Sequence, residues 1–158
     1  MQKVFVCSVL CAIGSSLFGA NDPFVGTWKL NVAKSKRAPS STGKATKEET
    51  MTVQDVGDQA YITLKGTRED GTTFGRKESV SIKGGPLNVS GNRPPVGTSA
   101  VMKKLNDRTA DFIYARDGKV YLTDHYTVSA DGKTIRNQYK GTDAQGKLVE
   151  GLTVWDRQ

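Results

Sequence analysis

The sequence contains one histidine, His125, and it directly follows an acidic residue, Asp124. Consecutive side chains of a strand point to opposite faces, so these two residues cannot act together as a catalytic pair. We therefore expect His125 to form a surface or cross-strand hydrogen bond. A single histidine also limits histidine-based metal chemistry, and we expect neither a metal site nor a cofactor.

Nucleophilic catalysis lacks its usual sequence pattern in this chain. Both cysteines, Cys7 and Cys11, lie within the first 20 residues, and no Gly-x-Ser-x-Gly motif occurs. Three carboxyl residues are better candidates for chemistry, because each falls on the strand face that otherwise carries apolar residues: Glu78, Asp124 and Glu150. An enzyme using a carboxyl–arginine pair is one hypothesis, but we expect a protein that is not an enzyme and has no catalytic residues.

Arg76 and Glu78 are two residues apart and share a strand face with Phe74. Inside the fold, such a pair would anchor the polar head group of a ligand. Outside it, the pair would be an ordinary surface ion pair worth about 0–1 kcal/mol. From the sequence we favour the surface position.

The elements that position these residues are strands. From Asn21 onward, short segments alternate apolar and polar residues, and no long segment repeats with the period of a helix. The last strand, for example, is predicted to turn Leu148, Leu152 and Val154 inward. We predict nine or ten strands in all.

Glycine-containing turns separate the predicted strands. Asp117-Gly118, Asp131-Gly132 and Gln145-Gly146 are spaced about 14 residues apart, which is typical of consecutive antiparallel hairpins. Closing such a meander removes its exposed edges. The predicted fold is therefore all-β, a single antiparallel up-and-down β-barrel of about 8–10 strands that occupies residues 21–158.

The chain has 158 residues, enough for one domain, and a net charge of +7. Residues 1–20 resemble a signal peptide, because Lys3 precedes an uncharged apolar run that ends near Ala20. We expect cleavage after Ala20 and a secreted or periplasmic protein with no stable membrane insertion; an uncleaved N-terminal anchor is the alternative.

A basic segment, residues 33–47, contains four lysines, one arginine, three serines and one proline and is predicted to be a loop. Its charge allows weak contact with anionic surfaces. It has no interleaved aromatic residues for base stacking, and we expect no nucleic-acid partner.

The segment Phe24-Val25-Gly26-Thr27-Trp28-Lys29-Leu30 contains Gly-x-Trp and resembles the first strand of the calycin barrels, the lipocalins and fatty-acid-binding proteins. Val154-Trp155-Asp156-Arg157 resembles the last strand of the fatty-acid-binding proteins. The resemblance implies a lipocalin-like barrel in which Trp28 plugs one end and Arg157 lies over the indole. Gly26, Trp28 and Arg157 are accordingly the predicted barrel-closure residues.

The chain also departs from the family pattern. Fatty-acid-binding proteins have a helical lid after the first strand, where this chain has the basic segment. Their last strand carries an Arg-x-Tyr pair that grips the ligand carboxylate, and Thr153 and Trp155 occupy the matching positions. The resemblance therefore implies the fold more than the ligand.

We hypothesise an exported protein that binds a small hydrophobic or amphipathic molecule in the barrel lumen without catalysing a reaction. The predicted ligand-binding residues lie on partly polar, partly aromatic faces: Phe74, Arg76, Glu78, Phe112, Tyr114 and Tyr126. The alternative is a structural or protein-interaction barrel of the cell envelope with a filled interior.

Overall fold

A computed structural model of the protein describes residues 22–38, 45–55, 58–92, 97–142 and 146–158. The predicted signal peptide, residues 1–20, and the central part of the predicted basic loop lie outside the described residues. Among the described residues, no helix is long and apolar enough to cross a membrane.

The described residues form ten strands, with these bounds: β1 Gly26–Leu30, β2 Thr46–Asp55, β3 Gln59–Arg68, β4 Thr73–Ser81, β5 Asn88–Gly91, β6 Ser99–Asn106, β7 Thr109–Arg116, β8 Lys119–Val128, β9 Thr134–Thr142 and β10 Leu148–Arg157. They make one antiparallel sheet in the order β5-β4-β3-β2-β1-β10-β9-β8-β7-β6. The prediction of an all-β, up-and-down antiparallel fold is confirmed.

The turn between β7 and β8 shows how the sequence directs this topology. Asp117 and Gly118 both have positive φ, 50° and 74°. A two-residue hairpin turn of this handedness matches the right-handed twist of its strands and favours an aspartate–glycine pair. The predicted hairpin is present at this position.

The sheet curls so that its two ends approach each other. The Leu87 amide donates to the Thr98 carbonyl, and the Ala100 amide donates to the Gly85 carbonyl, each at 3.0 Å. The Tyr114 hydroxyl of β7 also lies 3.3 Å from a carboxylate oxygen of Glu78 in β4. Since β4 and β7 are far apart in the sheet order, this contact crosses the interior, and the fold is barrel-like.

The inner face, defined as the face on which Trp28 lies, holds the hydrophobic core. Trp28 and Ile135 are fully buried, and Leu30 of β1 lies opposite Trp155 of β10. The buried core residues are Phe24, Trp28, Leu30, Met51, Ala60, Ile62, Leu64, Val80, Ala100, Met102, Ala110, Phe112, Tyr114, Val128, Ile135 and Trp155. Burial of this apolar surface is the main stabilising contribution to such a fold.

The predicted facing of β10 was wrong. Trp155 and Thr153 point inward, whereas Leu148 and Glu150 are exposed on the outer face. Val154 is buried from outside, beneath the turn after β1: its amide donates to the Ser35 hydroxyl at 3.0 Å, and its carbonyl accepts from the Asn31 amide at 2.8 Å. A residue on the outer face that is covered by another segment is also shielded from water, and it is therefore apolar like an inner residue. Alternation alone then assigns such a residue to the inner face, as it did for Val154.

Candidate functional site

One end of the fold is built around Trp28, which is fully buried. The Arg157 guanidinium carbon lies 4.0 Å from the centroid of its ring, a cation–π contact. The Trp28 indole N–H donates to the Phe24 carbonyl at 3.0 Å. Gly26 has a φ of +141°, and a Cβ there would meet the Arg157 guanidinium. The structure thus brings together the three predicted closure residues, Gly26, Trp28 and Arg157.

Arg157 also ties together segments that are remote in sequence. Its guanidinium donates to the Gly132 carbonyl at 2.6 Å, the Pro23 carbonyl at 2.6 Å and the Val25 carbonyl at 3.0 Å. A lysine could not reproduce this fork of donors. The N-terminal segment and the β8–β9 turn are therefore held over the same indole.

The six predicted ligand-binding residues all lie on the inner face. Phe74, Phe112 and Tyr114 are buried, and Tyr126 is partly buried against the core. The Phe112 and Tyr126 rings pack edge to face, with their centroids 5.3 Å apart. The remaining two residues are Arg76 and Glu78.

The surface position that we favoured for Arg76 and Glu78 was wrong. Their exposed fractions are 7% and 5%, and the Arg76 Nε lies 3.0 Å from a Glu78 carboxylate oxygen. The register explains the burial, because Arg76 lies opposite Leu64 and Glu78 lies opposite Ile62, two core residues of β3. The ion pair is therefore internal.

Further polar side chains share this region of the inner face. Asn137 Nδ2 donates to a carboxylate oxygen of Asp124 at 3.2 Å, and both residues are buried. Glu49 is 2% exposed and pairs with Arg37, whose guanidinium lies 3.2 Å away and is 30% exposed. We call the buried polar residues of the inner face the polar layer. Its members are Glu49, Arg76, Glu78, Tyr114, Asp124 and Asn137.

Asn137 and Glu49 were missed from the sequence. Glu49 lies two and four residues before Met51 and Val53, so it shares their strand face, and this spacing indicated its inward position. Asn137 carried the same signal, because it lies between Ile135 and Tyr139 on one face of its strand; in the structure it lies between β8 and β10, opposite Tyr126 and Thr153. Asp124, which the sequence did single out, is buried as expected.

Three buried polar atoms of this layer make no well-formed hydrogen bond: Arg76 Nε and Glu78 Oε2, which face each other in the ion pair at 3.0 Å, and Asn137 Oδ1. Asn137 Oδ1 is buried and accepts no hydrogen bond from the described residues. An unpaired buried acceptor costs about 1–3 kcal/mol. A hydrogen-bond donor placed beside the Asn137 side-chain oxygen would therefore stabilise the layer.

A partly open apolar cavity of about 30 Å³ adjoins the polar layer. The two regions are neighbours in the sheet, since Phe112 lies opposite Asp124 and Tyr126 lies opposite Asn137. The cavity is lined by Phe24, Val25, Met51, Val53, Gln54, Ala60, Ile62, Met102, Ala110, Phe112, Tyr126 and Ile135. The inner face is thus amphipathic, with an apolar part beside a polar one.

His125 lies apart from this layer. It is opposite Asp111, with its Nδ1 2.6 Å from the carboxylate, and its side chain is 42% exposed. The predicted cross-strand hydrogen bond is confirmed. The described residues contain no group of three or more histidines, cysteines and acidic residues that could hold a metal ion.

The interior tyrosines are held in the neutral form. Burial raises the pKa of Tyr114 well above 10.0, with the nearby Glu78 charge adding to the effect. Burial likewise raises the pKa of Tyr126, with Asp124 as the next cause. Both hydroxyls therefore remain hydrogen-bond donors at neutral pH.

Alkaline pH is expected to destabilise the fold through these tyrosines. In the unfolded chain they ionise near pH 10, whereas in the folded protein they ionise only at higher pH, so the free energy of unfolding falls as pH rises above 10. Urea unfolding at several pH values, followed by tyrosinate absorbance, measures the slope. The Tyr114→Phe/Tyr126→Phe variant should show a shallower fall above pH 10, and an identical slope would contradict the assignment.

No protein-family model matches the sequence, and comparison with curated proteins finds no match. Among solved structures, the chain is similar to EF1p2_mFAP2b bound to DFHBI, with a TM-score of 0.44, 12% identity and coverage of 86% of this chain and 94% of the other. It is also similar to a de novo designed fluorescence-activating β-barrel, with a TM-score of 0.41, 19% identity and coverage of 88% of this chain and 97% of the other.

Proposed function

We propose that the protein binds one small hydrophobic or amphipathic molecule inside a closed, lipocalin-like β-barrel and catalyses no reaction on it. The observation that carries this proposal is the buried polar layer beside an apolar cavity, with Asn137 Oδ1 left unpartnered among the described residues. Ligand pockets combine an apolar lining with a few placed polar groups in this way.

Such a layer of buried polar residues would contribute little to the stability of a core whose role is only structural. Burying a polar group without a hydrogen bond costs free energy, and replacing a buried ion pair by apolar residues is often neutral or stabilising. Here Arg76, Glu78 and Asp124 are each less than 9% exposed. Recognition of a polar group on a ligand gives these residues a function that packing does not.

The cavity must enlarge when an alkyl chain enters, because about 30 Å³ is roughly the volume that one water molecule occupies in the liquid. Two of the residues that line it are methionines, Met51 and Met102. Methionine has three rotatable bonds and adapts to irregular spaces. Changes of their rotamers would admit a narrow chain without altering the sheet.

We propose further that the protein is exported and acts in the periplasm or outside the cell. The support is the sequence of residues 1–20, with Lys3 before an uncharged apolar run. Weak contact of the basic segment with anionic surfaces would accompany this location.

A second candidate is a filled barrel that acts through protein contacts at the cell envelope. The small volume of the cavity is the observation that favours it. In that case the interior takes up no ligand, and the outer face is the functional surface.

Titration of the full chain with 1-octanol by isothermal calorimetry distinguishes the two candidates. We expect saturable binding of one molecule, abolished in Ala110→Leu, because Ala110 lines the cavity and is 1% exposed. Ala45→Leu is the matched control, since Ala45 is exposed, and should bind as the wild type does. Absence of binding to the wild type, or equal binding by Ala110→Leu, would favour the filled barrel.

A further inference from the structure

We infer that an open groove on the outer face of β2–β5 binds an acidic oligosaccharide, with a sugar ring packed on Tyr61 and a sugar carboxylate beside Lys77. The groove lies on the opposite side of the sheet from the polar layer and the apolar cavity. Binding there is a second function, and it does not depend on whether the interior takes up a ligand.

The groove has a volume of about 490 Å³. This value falls within the range of about 300–1,000 Å³ that is usual for small-molecule sites. The side chains that the outer face contributes are Tyr61 and six polar residues: Gln54, Thr63, Lys77, Ser79, Asn88 and Ser90. The groove therefore has room for a ligand of several rings without any rearrangement of the sheet.

The strand register arranges these side chains in two rows. The first row crosses β2, β3, β4 and β5 and consists of Gln54, Tyr61, Ser79 and Asn88. The second row lies two residues along the strands and consists of Thr63, Lys77 and Ser90. From the spacing of strands and residues, the first row is about 14 Å long and the rows are about 7 Å apart. This elongated array on rigid strands fits a short oligosaccharide.

Tyr61 supplies an aromatic surface in the first row. It is 42% exposed, and it is the one exposed aromatic residue in the part of the chain that the structure describes. A sugar ring has C–H groups on its faces, which pack on an aromatic ring, and hydroxyls around its rim. The amides and hydroxyls that surround Tyr61 both donate and accept hydrogen bonds, as sugar hydroxyls do. The lining of the groove is thus complementary to a carbohydrate.

Lys77 makes the groove positively charged. It is exposed and lies opposite Thr63 and Ser90, which carry no charge. Glu78, the next residue of β4, points to the inner face, where its carboxylate lies 3.0 Å from Arg76 Nε. The outer-face side chains of the groove therefore include one cation and no acidic residue. Charge complementarity favours a sugar that carries a carboxylate.

Three ligands test the inference by NMR titration of the full chain at pH 7: trigalacturonic acid, maltotriose and triglutamate. Maltotriose has the sugar rings without the charge, and triglutamate has the same net charge without the rings. We expect trigalacturonic acid to bind about threefold more tightly than maltotriose, because an exposed ion pair contributes little. It should bind about tenfold more tightly than triglutamate, which has no ring to pack on Tyr61.

Other orders of affinity overturn the inference. If triglutamate binds as tightly as trigalacturonic acid, the groove recognises charge and not sugar. If maltotriose binds as tightly, the carboxylate has no role. If trigalacturonic acid does not bind, or shifts only amide signals outside β2–β5, the groove is not its site. None of these results bears on the binding of 1-octanol in the interior.

Two substitutions locate the site. Tyr61→Ala should weaken the binding of trigalacturonic acid about tenfold, whereas Tyr61→Phe keeps the ring and should retain most of the affinity. Lys77→Gln should abolish the preference for trigalacturonic acid over maltotriose. Lys103→Gln is its control, because it removes the same charge from an exposed position of β6. A folded Tyr61→Ala variant that binds as the wild type does overturns the proposed site.

Discussion

Replacing Trp28 by alanine is expected to lower the free energy of unfolding by about 3–5 kcal/mol. Trp28 is fully buried, its indole N–H donates to Phe24, and the Arg157 guanidinium lies over its ring. The substitution leaves a cavity at the point where both ends of the described chain are held together. It also removes the cation–π contact, which contributes a further ~0.5–2 kcal/mol.

Urea unfolding followed by the fluorescence of Trp155 measures this loss. Lys29→Ala is the control, because Lys29 is the exposed neighbour of Trp28 in β1, and surface changes of this kind usually stay within about 0.5 kcal/mol. A loss below about 1 kcal/mol in Trp28→Ala would show that this end of the fold does not depend on the indole.

Arg76→Met is expected to cost about 3–5 kcal/mol, because it leaves the Glu78 carboxylate buried without its cationic partner. The double variant Arg76→Met/Glu78→Leu removes both charges and should regain most of the lost stability, since replacing a buried pair by apolar residues is often neutral or stabilising. The damage in the single variant thus arises from the uncompensated charge.

Urea unfolding of both variants measures the change in the free energy of unfolding, with Lys77→Met as the control. Lys77 lies between the two residues in β4 but is exposed, so its loss should have little effect. A harmless Arg76→Met, or a double variant less stable than the single one, would contradict an internal ion pair.

Much of the fold could be predicted from the sequence because its signals are local. Asp117-Gly118 favours a tight hairpin wherever it occurs, and alternation at Phe74, Arg76, Glu78 and Val80 correctly placed these residues on one face. The resemblance around Gly26-x-Trp28 correctly grouped Arg157 with the indole. A turn motif and a two-residue alternation can both be recognised from residues that are neighbours in the sequence.

The site was harder to predict because it depends on contacts remote in sequence. Alternation placed Arg76 and Glu78 on one face of β4. It could not predict that this face would be buried, with Leu64 and Ile62 of β3 lying opposite the two residues. In β10 the turn after β1 covers Val154 from outside, and no property of β10 alone reveals this cover.

Asn137 shows the same limit most clearly. Its environment comes from Asp124 on the neighbouring strand and from the interior that the curled sheet creates. That its side-chain oxygen accepts no hydrogen bond can be seen only when the described residues around it are in place.

Native mass spectrometry of the full chain, purified without detergent, tests the central claim that the interior binds a small molecule. We predict a discrete added mass that disappears on denaturation, or one bound molecule after incubation with 1-octanol. A bare protein mass that stays unchanged after incubation with 1-octanol would contradict the account.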